Sequence, residues 1–188
     1  LNAQGAQLSG KLELPVDNVK AYAIFVHCFT GNKDFSANRK ISRKLAQLGF
    51  GVLRFDFTGL GTSGGEFSDT NFTSNLEDLK HAYEQLSERF EAPQLLIGHS
   101  LGGAAVLSMA CEFEQVKAII TIGAPSSTHH LTHLFEQHIG EIEGKGQARV
   151  FIGQRPFVIK KQFLEDIKGH QVIDKVKAMK NKALLIFH

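Results

Sequence analysis

Gln94-Leu95-Leu96-Ile97-Gly98-His99-Ser100-Leu101-Gly102-Gly103-Ala104-Ala105 is the stretch that decides the fold. A short apolar run enters the pentapeptide Gly98-His99-Ser100-Leu101-Gly102 and leaves as a small-residue helix, the strand, sharp turn and helix of a nucleophile elbow. The turn strains the backbone at Ser100, so the residues two before and two after it must be nearly free of side chain, a demand that Gly98 and Gly102 meet. Ser100 is therefore a candidate nucleophile. It lies at a helix N-terminus, where the Leu101 N–H points outward and can stabilise an oxyanion.

Outward from this stretch, strand and helix alternate. Before it, Gln7–Leu14 alternates well enough for a strand, half of a hairpin whose first strand would precede Leu1, and Asn2–Gly5 reads as a turn. Ala21–Cys28 and Gly51–Phe57 are nearly continuous apolar runs, the mark of strands buried on both faces. Between them Ser36–Leu48 sets Ile41, Leu45 and Leu48 against Arg39, Lys40, Arg43 and Lys44, an amphipathic helix stopped by Gly49. Phe72, Leu76, Leu79, Tyr83, Leu86 and Phe90 step by four and three, and Ser74 with Glu77 offers a capping box near the start of that helix.

After the elbow a helix is expected to about Phe113, then a buried strand over Val116–Ile122. Alternation of this kind defines an α/β fold with a mostly parallel central sheet flanked by helices. The rhythm breaks over 126–182. There His129–Ile139 looks helical, Ala148–Ile152 and Phe157–Ile159 look like a hairpin, and Gln162–Met179 looks like one or two helices. This segment reads as a cap or lid insertion in one domain covering 1–188, and Ala183–Phe187 then resumes as a buried strand.

Composition narrows the partners. With 21 Lys plus Arg against 19 acids the net charge is +2, so no global field argues for nucleic acid or an anionic membrane. No apolar run reaches the length of a membrane span, and the opening at Leu1 leaves the question of a leader open. Two cysteines, Cys28 and Cys111, cannot build a disulfide framework; both sit among apolar residues suited to reduced, buried thiols, which points to the cytoplasm.

Four further motifs bear on chemistry. His27-Cys28-Phe29-Thr30-Gly31 closes an earlier strand, where a second oxyanion donor belongs; the Phe29 N–H is assigned that role and His27 is expected to hold the loop by hydrogen bonds. Gly59, Gly61 and Gly64 spell the dinucleotide fingerprint, but Gly65-Glu66-Phe67-Ser68-Asp69 keeps the chain irregular where a helix must begin. A loop whose carboxylate, Asp56, ties down backbone N–H groups is the better reading, and no cofactor is expected. His129, His130, His133 and His138 lack the accompanying acid or Cys pair of a metal site, so no metal is expected either. Asp166 or Asp174 with His170 offers the best internal acid and base, but in helical surroundings with no preceding strand.

Gly98-His99-Ser100-Leu101-Gly102-Gly103, His27-Cys28-Phe29-Thr30 and Asp56-Phe57-Thr58-Gly59-Leu60-Gly61-Thr62-Ser63 together resemble the α/β-hydrolase superfamily. With Leu53-Arg54-Phe55, Thr70-Asn71-Phe72, Ile122-Gly123-Ala124-Pro125 and Arg155-Pro156-Phe157, the resemblance narrows to the hydrolase half of bacterial proteins that join such a domain to an OsmC-like one. It implies a serine hydrolase acting on small-molecule carboxylic esters or thioesters, with a fused C-terminal OsmC-like domain that is not in this sequence. It also implies the order Ser, acid, His, with the acid in the loop after Ala183–His188 and the His further on. Both positions fall beyond His188, and the last sheet strands are missing with them. A serine hydrolase without base and acid keeps only about 10³–10⁴-fold catalysis over water, so residues 1–188 alone are expected to be nearly inactive, with an exposed sheet edge at Ala183–Phe187. The other expectation is a non-catalytic module that scaffolds the OsmC-like redox domain.

Overall fold

The apolar runs become the centre of one sheet. The computed structural model describes residue 2 and residues 5–188. Its first half contains β1 (Gly10–Glu13), β2 (Ala21–Val26), α1 (Ser36–Gln47), β3 (Phe50–Phe55), α2 (Phe72–Arg89), β4 (Leu95–His99) and α3 (Leu101–Met109). After β5 (Ala118–Ile122) come α4 (Ile139–Lys145), the hairpin β6 (Gln147–Ile152) and β7 (Arg155–Lys160), α5 (Lys161–Gly169), α6 (Val172–Ala178) and β8 (Ala183–Phe187). The six-stranded sheet has the order β1-β3-β2-β4-β5-β8, with β6 and β7 paired separately. β1 runs antiparallel to β3 and every other pair in the large sheet is parallel.

β2 and β4 are neighbours, with Val26 opposite Gly98. The loop after β2 and the turn after β4 therefore leave the same end of the sheet side by side, where α/β sheets place their sites. α3 is buried all round, Leu101 through Met109, because Gly and Ala on its surface let it sit deep against the sheet. Buried residues of 126–182, among them Phe135, Ile142, Phe157, Phe163 and Ile167, join the same core as Ile24, Leu96 and Ile119. On the opposite sheet face Ala23, Phe25, Val52, Leu95 and Ile97 pack under Ile41 and Leu45 of α1.

Several expectations change in detail. The capping box of α2 is made by Asn71 and Ser74, not Ser74 and Glu77: the Asn71 side chain accepts from Ser74 N (2.8 Å) and Ser74 Oγ from Asn71 N (2.9 Å). Over His129–Ile139 the expected helix is replaced by two 3₁₀ segments, Thr128–Leu134 and Glu136–His138, with α4 starting only at Ile139, because Phe135 turns inward to full burial between them. The helix after the elbow stops at Met109 rather than Phe113. Cys111 is exposed and Cys28 half-buried, so neither is the fully packed thiol expected. β8 is not the buried strand its apolar run suggests but an exposed sheet edge, the other expectation for Ala183–Phe187, with Leu185, Ile186 and Phe187 at least half exposed. The turn expected over Asn2–Gly5 lies partly outside the described residues, although Gly5 N does donate to Asn2 O (2.9 Å).

Candidate active site

Ser100 stands between β4 and α3 with φ 52° and ψ −118°, a left-handed conformation that a non-glycine residue holds only at a cost of about 1–3 kcal/mol. Its N–H donates to Ile122 O (2.9 Å), and its carbonyl accepts from Gly103 N (2.8 Å), which locks the turn from both sides. The close approach explains the glycines. A Cβ on Gly98 would lie 2.3 Å from Gly102 O, and one on Gly102 would lie 2.4 Å from Val26 O and 2.5 Å from His27 O. Thus the elbow is pressed directly onto the end of β2.

That end carries the second loop. Gly31 N donates to Cys28 O (2.9 Å), closing a tight turn in which Thr30 has φ 57°. His27, 1 % exposed, lies beneath it. Its Nε2 accepts the Phe57 N–H (3.2 Å), so Nδ1 carries the proton and donates to Cys28 O (2.8 Å). Burial holds the imidazole below its ordinary pKa, outweighing the Cys28 hydrogen bond, which acts in the opposite direction. Cys28 O therefore has two donors. Because a trans peptide points its N–H away from its C=O, the Phe29 N–H is aimed the other way. Among the described residues, neither Phe29 N–H nor Leu101 N–H has a protein acceptor. His99, beside Ser100, is also held below the ordinary His range by burial.

Asp56 anchors both loops. Its carboxylate, fully buried, accepts from Lys33 N (2.5 Å), Lys33 Nζ (2.8 Å) and Thr62 N (2.9 Å). Burial would raise its pKa, but these donors outweigh it and hold the acid below the usual carboxylate range. A Cβ on Gly61 would lie 2.1 Å from Asp56 Oδ2, so this glycine exists to let the loop wrap the carboxylate. Gly59 N meanwhile bonds Gly64 O (2.9 Å), giving a closed loop followed by a 3₁₀ turn at Phe67–Asp69 rather than a helix.

Sequence reasoning missed the partners. Lys33 is one. Arg54 is another, fully buried in β3, where its guanidinium bonds Lys33 O and Glu13 Oε1 (2.6 Å). A charged residue in the middle of a strand buried on both faces was the available signal, since such a charge must be paired. A third is Asp78 of α2, which accepts from Thr58 N (2.8 Å) and Asn2 Nδ2 (2.7 Å); burial raises its pKa despite those bonds.

The internal acid and base do meet, but their hydrogen bonds run to Thr73 and not to Ser100. Asp166 accepts from Thr73 N (3.0 Å) and Thr73 Oγ1 (2.5 Å), and His170 Nε2 lies 3.0 Å from Thr73 Oγ1 and 3.5 Å from Asp166 Oδ2. Acid and hydroxyl share one ring nitrogen, so there is no relay through the imidazole; the group fastens α5 to the start of α2. Asp174 instead faces Lys177 (3.2 Å). The His130 and His133 rings touch edge to face at 4.9 Å, and His133 and His138 face Glu136 and Glu141. Among the described residues no three His, Cys, Asp or Glu side chains gather as metal ligands. A groove of about 410 Å³ lies between β1 and the later turns of α2, lined by Leu12, Leu53, Phe55, Leu86 and Phe90, with no residue of the elbow in its wall.

A mostly parallel sheet with a strained serine between strand and helix at its carboxyl end defines an α/β hydrolase. The model of the family "serine aminopeptidase, S33" matches residues 17–182, and the chain belongs to that family. Rat palmitoyl-protein thioesterase ABHD10, a mitochondrial protein, is 28% identical over 128 residues, 66% of this chain and 42% of its own length. The chain thus spans about two fifths of that curated relative. The esterase domain of a Rhodothermus marinus protein is 47% identical, with TM-score 0.74, across 100% of this chain and 72% of its own. Est1E from Butyrivibrio proteoclasticus, solved with ferulic acid bound, shares the fold at 22% identity and TM-score 0.77, covering 100% of this chain and 76% of its own.

Proposed function

We propose that this chain carries the nucleophile and oxyanion hole of a serine hydrolase acting on small to medium carboxylic esters or thioesters. The observation that carries the reading is the strained Ser100 at the start of α3, beside two N–H groups, Phe29 and Leu101, that have no protein acceptor among the described residues. Ser100 Oγ attacks the acyl carbonyl, its proton passing to a histidine, and the carbonyl oxygen becomes an oxyanion held by the two N–H groups. Collapse expels the alcohol or thiol and leaves an acyl-enzyme, which water then hydrolyses. The base and its acid are assigned to residues beyond His188, since no acid and histidine bond Ser100 among the described residues. The names of the relatives, an esterase domain and a protein thioesterase, support the ester and thioester class.

A fused OsmC-like domain and a cytoplasmic location, which suits two free cysteines, belong to the same proposal. The pure scaffold reading draws no support from Cys28, because burial pushes its thiol up and away from the reactive thiolate. The test is a fluorophosphonate probe applied to the full-length protein and to Ser100→Ala. Labelling of the wild type alone is expected; equal labelling, or none in either, would sink the proposal.

A further inference from the structure

Arg155, at the start of β7 in the 126–182 segment, reaches 125 residues back along the chain, where its Nη1 donates to Thr30 O (3.0 Å). Thr30 is the residue at φ 57° in the turn that holds Phe29. Two peptide groups stand in a row between Arg155 and the Phe29 N–H. The Thr30–Gly31 peptide is held at its oxygen by Arg155 and at its N–H by Cys28 O (2.9 Å). The Cys28–Phe29 peptide is held at its oxygen by Gly31 N–H and His27, which leaves only the Phe29 N–H free to act. A cation on the far carbonyl fixes the plane of the first peptide and polarises its N–H. That N–H polarises the next carbonyl, and hydrogen bonds in such chains strengthen one another by about 10–30% each.

The guanidinium is itself held in place. It lies 5.1 Å from the Phe157 ring centroid; Phe157 packs edge-on against Phe67 (4.9 Å), and Phe67 and Phe163 both pack against Phe29 (5.7 and 5.3 Å). Two separate contacts from the 126–182 segment thus land on adjacent residues of the loop, one on the Phe29 ring and one on the Thr30 carbonyl.

We propose that Arg155 is a positioning residue for the oxyanion hole, orienting and polarising the Phe29 N–H through the Thr30–Gly31 and Cys28–Phe29 peptides. This rests on the reading of Ser100 and Phe29 above. Arg155 touches no reacting atom, so its loss weakens the donor without deleting it, and the effect falls below the 10²–10³-fold of removing an oxyanion donor outright.

The experiment measures hydrolysis of p-nitrophenyl acetate by the full-length protein, with kcat expressed per fluorophosphonate-titrated site. Arg155→Met is expected to lower kcat about tenfold with KM within about twofold, because the interaction is made in the transition state. Arg155→Lys, which keeps one N–H donor and the charge, is expected to recover part of the loss. A trifluoromethyl ketone, which forms an oxyanion on the serine, is expected to lose affinity by the same factor as kcat/KM. Arg155 is exposed, and Arg155→Gln, too short to reach Thr30, serves equally should Arg155→Met not fold. Wild-type kcat in either folded neutral variant, or a raised KM at unchanged kcat, overturns the assignment. If the wild type takes no label at Ser100, the nucleophile reading fails; if it does and Arg155→Met keeps full kcat, only the role of Arg155 fails.

Discussion

At Gly102 one methyl group would meet two backbone carbonyls, at 2.4 and 2.5 Å, and neither can move without moving β2. Gly102→Ala is therefore expected to lower stability by about 1–3 kcal/mol or more, read as a fall in the urea midpoint. An unchanged midpoint would mean that the elbow is not pressed onto β2. His27 gives a pH dependence with a definite sign. Its folded pKa lies below the unfolded value, so the unfolded chain binds more protons under acidic conditions. The stability that neutral His27 supplies is complete above about pH 6.5 and is lost as pH falls from there towards the lowered folded value, by at most about 1.4 kcal/mol per unit. His99 adds to the same slope. His27→Asn keeps an N–H for Cys28 O but cannot protonate; urea midpoints at pH 7.5 and 5.5 should show a shallower acid slope than wild type. Equal slopes would remove His27 from the account.

Among the elements, the start of α2 does two jobs. Asn71 caps the helix and its Nδ2 donates to Gln162 Oε1 (3.0 Å), while the Thr73 N–H, which has no acceptor within the helix, donates to Asp166 of α5. A carboxylate at that helix end is favoured by the dipole as well. Lys160 at the head of α5 also pairs with Asp69. Asn71→Ala should cost about 1 kcal/mol from the cap alone, measurable by thermal denaturation. The strong period from Phe72 to Phe90 showed this helix in the sequence. The sequence leaves its cap undecided, because Ser74 can serve at either end of a capping box and only the backbone entry angle decides which. His129–Ile139 departs from its local helical signal for a related reason: burial of Phe135 fixes the chain there, and no local propensity encodes it.

Over the whole molecule, β8 leaves Leu185, Ile186 and Phe187 exposed at the sheet edge, where unpaired strand groups invite association. A polypeptide of residues 1–188 is expected to self-associate in sedimentation or light scattering, and Ile186→Lys to reduce it; equal association in both would acquit this edge. What the sequence determined by itself is whatever depends on neighbours a few positions away. The apolar runs, the helical periods and the glycines flanking Ser100 all belong here, because strand pleat, helix period and a sharp turn are set by local sterics. Tertiary structure alone decided which partner each of these charged side chains meets. Asp56 found Lys33 at 23 residues' separation, Arg54 found Glu13 at 41, and Arg155 found Thr30 at 125. A buried charge must be paired, but the chain's composition does not say with which partner. That choice follows from strand order and from how the 126–182 segment folds back over the loop after β2.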